Sequence, residues 1–312
     1  MSRRHQPALS KPQKGVALLG ALATLALATL LAYAMLSQGQ MAAARSAASA
    51  RNDQVQLLAE GLYDYALEAL AQDSAANAFD NYNEAWAVAL PELPIERGAL
   101  SGRLRDLNGR LNLNSVWQAG ARNPVAIRRF ERLLSALELD VRIAQHISDA
   151  IDPDQLSQGG SEDPDYARAA RRAPNRYLSD VSELRDIDGI DAKAYALLAP
   201  HVSALPPDAV LNINTASVPV LMSLSNGFAR ELASRVWQKG KARYTNVSEW
   251  VIELDQAGLR INPDEQTDLS VQSSYFSAQA RVKLDGIDHY SQATLRRTPA
   301  GLVVTARRRG VF

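Results

Sequence analysis

Six carboxylic acids crowd into one short stretch near the middle of the sequence, residues 149–165. Like charges at this density repel one another unless water or a cation neutralises them. Calcium takes about six to eight oxygen ligands, and it is often bound by carboxylates on a loop that contains glycine. The stretch therefore predicts a calcium site with the following ligands: Asp152, Asp154, Glu162, Asp163 and Asp165.

The spacing of these acids resembles an EF-hand only in part. Asp152, Asp154 and Asp163 stand at the separations of the first, third and twelfth positions of an EF-hand loop. Leu156 and Ser157, however, occupy the positions where an EF-hand has a ligand and a glycine. The stretch is therefore not an EF-hand, and a solvated acidic loop without an ion is the alternative.

Residues that would carry catalysis are sparse. The chain has no cysteine, which excludes disulfides, thiolate metal sites and cysteine nucleophiles. Its four histidines lack metal-ligand spacing, and neither a Gly-x-Ser-x-Gly motif nor a P-loop occurs. The formal net charge is zero, so no global basic field points to nucleic acid. We therefore expect a protein that is not an enzyme.

A second chemical feature is Lys14-Gly15, which directly precedes the apolar run Val16–Leu36. As a helix at ~1.5 Å per residue, this run spans about 30 Å, the thickness of a bilayer core. The residues before it are basic and contain no acid, so this end should stay in the cytoplasm. Three interpretations fit: a cleaved signal peptide, a plain membrane anchor, or a prepilin leader that is cut after Gly15 while the apolar helix is kept.

Periodicity outlines the elements that position these groups. Residues 16–71 contain no proline and, from Val55 onward, place apolar residues at three-to-four spacing, which predicts one long helix. Residues 97–115 and 272–310 alternate apolar and polar side chains, which predicts strands, three of them in the C-terminal stretch. The predicted turns are Asn108-Gly109, as a two-residue hairpin, Asp285-Gly286, and Pro299-Ala300-Gly301.

The region between these strands is mostly helical, with a first helix that opens at Asn123-Pro124. The predicted fold is therefore α+β: a pilin-like long N-terminal helix packed on an antiparallel sheet, with a large helical domain inserted between strands. The predicted divisions are a leader at 1–15, a transmembrane segment at 16–36, the pilin-like helix and first strands at 37–122, the inserted helical domain at 123–260, and the C-terminal strands at 261–312.

Two segments in the helical region resemble each other, DVSELRDIDGI from Asp180 and NVSEWVIELDQAGL from Asn246. Each begins with a capping pattern, an Asp or Asn followed three residues later by Glu. Together with residues 212–236 they resemble helix-hairpin-helix DNA-binding modules. A membrane-anchored DNA receptor is therefore the alternative function, although Asp188 and Asp191 would repel phosphate at the hairpin.

Several short runs, in order along nearly the whole chain, resemble type II secretion system protein K, the large minor pseudopilin of that system. The runs are Gly15-Val16-Ala17-Leu18-Leu19, Gly109-Arg110-Leu111-Asn112-Leu113-Asn114, Ile151-Asp152-Pro153-Asp154-Gln155, Gly160-Ser161-Glu162-Asp163, Val181-Ser182-Glu183-Leu184-Arg185, and Leu211-Asn212-Ile213-Asn214-Thr215-Ala216-Ser217.

This resemblance implies cleavage by the prepilin peptidase between Gly15 and Val16, N-methylation of Val16, and calcium in the helical insert. It implies an inner-membrane protein with a single span, its N-terminus cytoplasmic before processing and the rest of the chain in the periplasm. The implied role is at the tip of the pseudopilus, together with the minor pseudopilins I and J, starting or capping the filament that drives folded proteins across the outer membrane. Secreted substrates are further candidate partners, and nucleic acid is not.

The resemblance also accounts for an unusual residue. Most prepilins carry a glutamate five residues after the cut, and here that position is Gly20. The protein K family typically lacks this glutamate, so Gly20 agrees with the resemblance.

Overall fold

The computed structural model describes residues 14–153 and 174–310. Helix α1 runs without interruption from Lys14 to Ala76, which confirms the prediction of a single long N-terminal helix. The chain divides into two compact units between Leu57 and Leu58. The second unit, residues 58–312, is called the head.

The remaining elements all lie in the head. Its α-helices are α2 (Pro124–Ala136), α3 (Ile143–Ile151), α4 (Ala192–Leu198), α5 (Val218–Ser223), α6 (Arg230–Trp237) and α7 (Val247–Gln256). Its strands are β1 (Leu90–Ile95), β2 (Gly98–Asp106), β3 (Leu111–Asn112), β4 (Trp117–Gln118), β5 (Ala121–Arg122), β6 (Val202–Ser203), β7 (Leu211–Asn212), β8 (Leu269–Ser270), β9 (Tyr275–Leu284), β10 (Ile287–Thr298) and β11 (Gly301–Arg309).

Five strands form one antiparallel sheet in the order β1-β2-β9-β10-β11. The three C-terminal strands are confirmed, with tight turns where Asp285-Gly286 and Pro299-Ala300 were expected. Among the described residues, the polypeptide between β2 and β9 contains every α-helix of the head other than α1. A helical region therefore interrupts the sheet, as the sequence predicted.

The head contains two hydrophobic cores. In the first, one face of α1 packs on the sheet through small and apolar side chains such as Ala59, Leu62 and Ala66, which meet Phe276 and Leu295. The second core lies within the helical region and centres on α2, α3, α5 and α7, where Phe130, Leu134 and Trp250 are fully buried. Apolar residues at helical spacing on α2 explain why this helix is buried along one side.

The prediction of a two-residue hairpin at Asn108-Gly109 is wrong. The two-residue hairpin of this region joins β1 to β2 at Glu96-Arg97, and Arg97 takes the left-handed conformation there with φ of 68°. Asn108 is instead buried, where its side-chain amide donates to the carbonyl of Val210 and accepts from the backbone N–H of Tyr275. A β-carbon on Gly109 would lie 2.5 Å from the hydroxyl of Thr215, so this position needs glycine for space.

Candidate functional site

The proposed cleavage point lies at the start of α1. Helix α1 begins at Lys14, so Gly15 and Val16 stand in its first turn. The apolar side chains that follow are exposed along the helix, among them Leu18, Leu22 and Leu25. By length and composition, this helix is apolar enough to cross a membrane, with a mean hydropathy of 2.0 over its most apolar window, none of which is buried.

The one proposed calcium ligand that the structure describes is Asp152, directly after α3. Asp152 is buried and accepts hydrogen bonds from Nε and Nη2 of Arg122, at 3.2 Å and 2.9 Å. Asp149, one turn earlier on α3, is also buried and pairs with the same guanidinium. The other four proposed ligands, Asp154, Glu162, Asp163 and Asp165, lie outside the described residues.

The chemistry at Asp152 suits a cation. Burial lowers the pKa of Arg122, but the hydrogen bonds to Asp152 and Asp149 outweigh this effect and raise the pKa above its usual value. The guanidinium therefore stays charged, and it serves two carboxylates at once. Two buried carboxylates at the end of α3 supply oxygen donors, which is the donor chemistry that calcium prefers. Arg122 would share the Asp152 carboxylate with an ion.

Sequence reasoning missed a second acidic cluster at the end of α1. One carboxylate oxygen of each of Asp73, Asp80 and Glu84 lies within 4.8 Å of the others. Nη1 of Arg297 donates to both carboxylate oxygens of Asp80, at 3.0 Å and 2.9 Å. Trp86 donates its indole N–H to Glu84 at 2.8 Å. Protein donors thus already serve these acids, and the cluster joins α1 to strand β10.

Burial and crowding of the carboxylates in this cluster raise the pKa of one of them, Asp73. Burial, and then the negative charges of Glu84 and Asp80, raise the pKa of Asp73 to about 7. No local pattern could have revealed this arrangement, because Asp73 and Arg297 are 224 residues apart.

A further buried acid, Asp106, ends strand β2. Its carboxylate accepts hydrogen bonds from the backbone N–H of Asn108 at 2.7 Å, from the hydroxyl of Ser273 at 2.6 Å, and from the hydroxyl of Thr215. Burial raises the pKa of Asp106 to about 6, and these three hydrogen bonds limit the rise. Asn212 also donates to Asp106, at 3.4 Å. This network ties the sheet to the helical region.

The two capping patterns found in the sequence are both formed. Asp180 and Glu183 make a complete capping box at the start of the 3₁₀ helix Val181–Asp186. Asn246 accepts from the backbone N–H of Glu249 at 2.9 Å and caps α7. Glu183 is thus a capping residue, and its second carboxylate oxygen pairs with Arg176.

Comparison with known proteins identifies the family. The family model described as Type II secretion system (T2SS), protein K matches residues 109–207. A type II secretion system protein K from Pseudomonas aeruginosa is 32% identical over 325 residues, which cover 97% of this chain and 94% of that protein. This chain belongs to the type II secretion system protein K family.

Other relatives of the protein K family agree. The protein K of Pectobacterium carotovorum subsp. carotovorum is 28% identical and covers 96% of this chain and 97% of its own length. The protein K of Aeromonas hydrophila is 32% identical over 64% of this chain. The names of these relatives describe components of a secretion system and no enzyme activity.

A solved structure confirms the fold class. It is described as the crystal structure of the GspK-GspI-GspJ complex from the type 2 secretion system of enterotoxigenic Escherichia coli. The matched chain is 26% identical, is covered completely, and aligns with 86% of this chain at a TM-score of 0.76. The α+β fold with a long N-terminal helix, an antiparallel sheet and helices between strands is therefore established for this member of the family.

Proposed function

We propose that this protein is the minor pseudopilin at the tip of the type II pseudopilus, where it initiates or caps the filament that drives folded proteins across the outer membrane. The observation that carries this proposal is the 32% identity to a protein K over nearly the entire chain. Its proposed partners are the minor pseudopilins I and J, because the similar structure is a complex of those three components.

The N-terminus supports processing by the prepilin peptidase. The leader ends in Lys14-Gly15, and the apolar part of α1 follows at once. Cutting between Gly15 and Val16 removes the basic leader. Methylation of the Val16 amino group adds an apolar methyl group to the new N-terminus and keeps its positive charge. The helix then anchors the protein in the inner membrane, with the head in the periplasm, since basic flanks stay in the cytoplasm.

Gly20 supports a position at the tip. After cleavage it is the fifth residue of the chain, where most pilin-like subunits carry the glutamate that pairs with the N-terminus of a neighbour. A subunit without this carboxylate lacks that ion pair, so it takes a terminal place more readily than an internal one. The helical region inserted between β2 and β9 adds bulk to the head at the same time.

Calcium is part of the proposal. Asp152 would be its described ligand, with Asp154, Glu162, Asp163 and Asp165 as the others. The ion would hold together a stretch of chain that contains few apolar residues and no disulfide. Its role would be structural.

The decisive experiment is the mass of the N-terminal peptide of the protein extracted from membranes of its own host. We expect a chain that starts at N-methylated Val16. A start near Arg45 or Arg51 would indicate a secreted and cleaved protein, and an intact Met1 or Ser2 a plain anchor; both would contradict the proposal. The variant Gly15→Leu should keep its leader, whereas Gly20→Ala should be cut normally.

The position in the filament needs a separate measurement. Site-specific cross-linking in cells should join this protein to the minor pseudopilins I and J and never to a second copy of itself, because a filament has a single tip. Cross-links between two copies of this chain would place it along the filament and contradict the terminal role.

A further inference from the structure

A large groove in the head is lined by an excess of arginine. It has a volume of about 790 Å³ and lies between the five-stranded sheet and the helical region. The arginines that line it are Arg103, Arg105, Arg110, Arg185, Arg308 and Arg309, and Asp180 is the single acidic residue among its described lining residues. The chain as a whole has no net charge, so this positive charge is a local property of the groove.

The floor of the groove is the sheet face that points away from α1. A β-carbon on Gly102 would meet Leu62 of α1, so Gly102 faces the helix and its neighbour Arg103 faces the groove. Across the sheet, Arg103 on β2 pairs with Gln279, Gln279 with Gln292, and Gln292 with Arg308 on β11. This row places an arginine at each end and two neutral amides between them.

The wall of the groove comes from the helical region. It consists of the 3₁₀ helix Val181–Asp186, of α4, which contributes Tyr195, and of the 3₁₀ turn Ala199–His201, which contributes Pro200. Arg185 lies over the ring of Tyr195, with its guanidinium carbon 4.1 Å from the ring centre. The aromatic face in the groove is therefore already covered by a cation.

The one acid among the described lining residues makes its ion pair with Arg308 and none with Arg105 or Arg110. Asp180 caps the 3₁₀ helix through the backbone N–H of Ser182 and pairs with Arg308. Among the described residues, no carboxylate lies within ion-pair distance of Arg105 or Arg110. Burial and the positive charge of Arg105 both lower the pKa of Arg103, which reflects this imbalance.

We propose that this groove binds an extended acidic peptide segment of another protein. Arginine presents a planar fork of donors that matches a carboxylate, and the row of amides on the floor can serve the peptide backbone. Four strands at ~4.8 Å spacing give the row a length of roughly 14 Å, which about four residues of extended chain cover at ~3.3 Å each. Carboxylates of such a segment would meet Arg103 and Arg105, which are exposed on the same face of β2 at one end of the row.

The groove fits a peptide better than a nucleic acid. Single-stranded nucleic acid binds through aromatic side chains on which its bases stack, in addition to positive charge. The aromatic ring that lines this groove, Tyr195, is covered by Arg185. The inference does not depend on the proposed position at the pseudopilus tip, because it rests on the groove alone.

The test is fluorescence anisotropy with a short labelled peptide of alternating Glu and Ser, added to the full chain in neutral detergent. We expect saturable binding that weakens as salt is raised, since salt screens exposed charges. The matched peptide of alternating Gln and Ser should not bind. Absence of binding by the Glu peptide would overturn the proposal.

Variants locate the site. Arg105 is exposed on β2, so Arg105→Gln should leave the fold intact. It should lower the affinity for the Glu peptide about tenfold, the loss expected for a hydrogen bond to a charged group. Arg105→Lys should be intermediate, because it keeps the charge and loses the fork. Arg243→Gln removes the same charge from an exposed position outside the groove and should bind normally.

Two results would overturn the assignment. Equal losses for Arg105→Gln and Arg243→Gln would show that general charge, not the groove, attracts the peptide. A short single-stranded DNA could also displace the Glu peptide. If the native protein bound this DNA more tightly than the peptide, and Arg105→Gln no longer bound the DNA, a nucleic acid would be the occupant.

Discussion

Asn114 and Asn214 fasten two separate loops with the same pair of hydrogen bonds. Asn114 donates its amide to the carbonyl of Leu178 at 2.9 Å and accepts the N–H of Leu178 at 2.8 Å. Asn214 makes the same two bonds, at the same two distances, with the backbone of Tyr244. In each case the fastened residue stands two positions before a helix-capping residue.

This correspondence extends to the strands. Strand β3, which contains Asn112, pairs in parallel with β6, and β7, which contains Asn212, pairs in parallel with β8. The helical region thus repeats one plan: an Asn-x-Asn run, helices, a capped helix, and a short strand that returns to the run. This structural repeat explains why the segments that begin at Asp180 and Asn246 are similar in sequence.

Replacing either asparagine should destabilise the head by a similar amount. Asn114→Ala and Asn214→Ala each leave a backbone N–H and a carbonyl without their partner in a buried loop, and we expect a loss of about 2–4 kcal/mol in the free energy of unfolding. Urea unfolding of the full chain in detergent measures it. Tryptophan fluorescence reports on the head, since all four tryptophans lie there: Trp86, Trp117, Trp237 and Trp250.

The exposed Asn226 on the α5–α6 turn provides the control for this pair. Asn226→Ala should change the free energy of unfolding by less than about 0.5 kcal/mol, as surface substitutions usually do. If the two buried variants lost no more than this control, the shared hydrogen-bond pattern would have no role in stability.

The contact between α1 and the sheet depends on Gly102. A β-carbon there would lie 2.4 Å from Cδ1 of Leu62 and 2.9 Å from the carbonyl oxygen of Gln279. We expect Gly102→Val to lower the free energy of unfolding by about 1–3 kcal/mol, because it forces extra volume into a packed interface. The neighbouring Ser101 lies on the other face of the sheet, so Ser101→Val should leave the free energy of unfolding nearly unchanged. A similar loss of stability in both variants would contradict the explanation.

Elements that depend on local patterns could be predicted from the sequence. Helix α1 shows as an apolar periodicity free of proline, and the strands β9 to β11 show as alternation between turn residues. Both kinds of pattern arise from residues close together in the chain. The caps at Asp180 and Asn246 are local in the same way.

Features that depend on distant partners could not be predicted. Asn108-Gly109 has the composition of a hairpin turn, but Asn108 bonds to groups 102 and 167 residues away, and these contacts decide its conformation. In the acidic site, counting carboxylates did not reveal that Arg122 already serves Asp149 and Asp152, because it stands about 30 residues earlier in the chain.

The raised pKa of Asp73 predicts a pH dependence of stability. Its pKa is 3.8 when unperturbed and about 7 in the folded protein, so between these values the folded state holds a proton that the unfolded state has lost. The free energy of unfolding should therefore fall as pH rises from about 4 to about 7, and change little from this group above that. Asp106 contributes with the same sign up to about pH 6.

Asp73→Asn isolates this effect, because the amide resembles the protonated acid. We expect the free energy of unfolding of the variant to equal that of the native protein near pH 5. Near pH 8 it should be higher than the native value by more than about 1 kcal/mol. Asp64→Asn removes an exposed carboxylate from the same helix and should leave the pH profile unchanged. A native profile in Asp73→Asn would mean that the carboxyl group titrates normally.

Removing calcium should destabilise the head if the acidic site holds an ion. A ligand that binds only the folded state stabilises it, so a calcium chelator should lower the melting temperature by about 5 °C in the full chain in detergent. Asp163→Asn and Asp165→Asn should melt lower than the native protein in calcium and lose the response to chelator. Asp264→Asn, on an exposed carboxylate elsewhere in the head, should keep that response. An unchanged melt in chelator would contradict the calcium proposal.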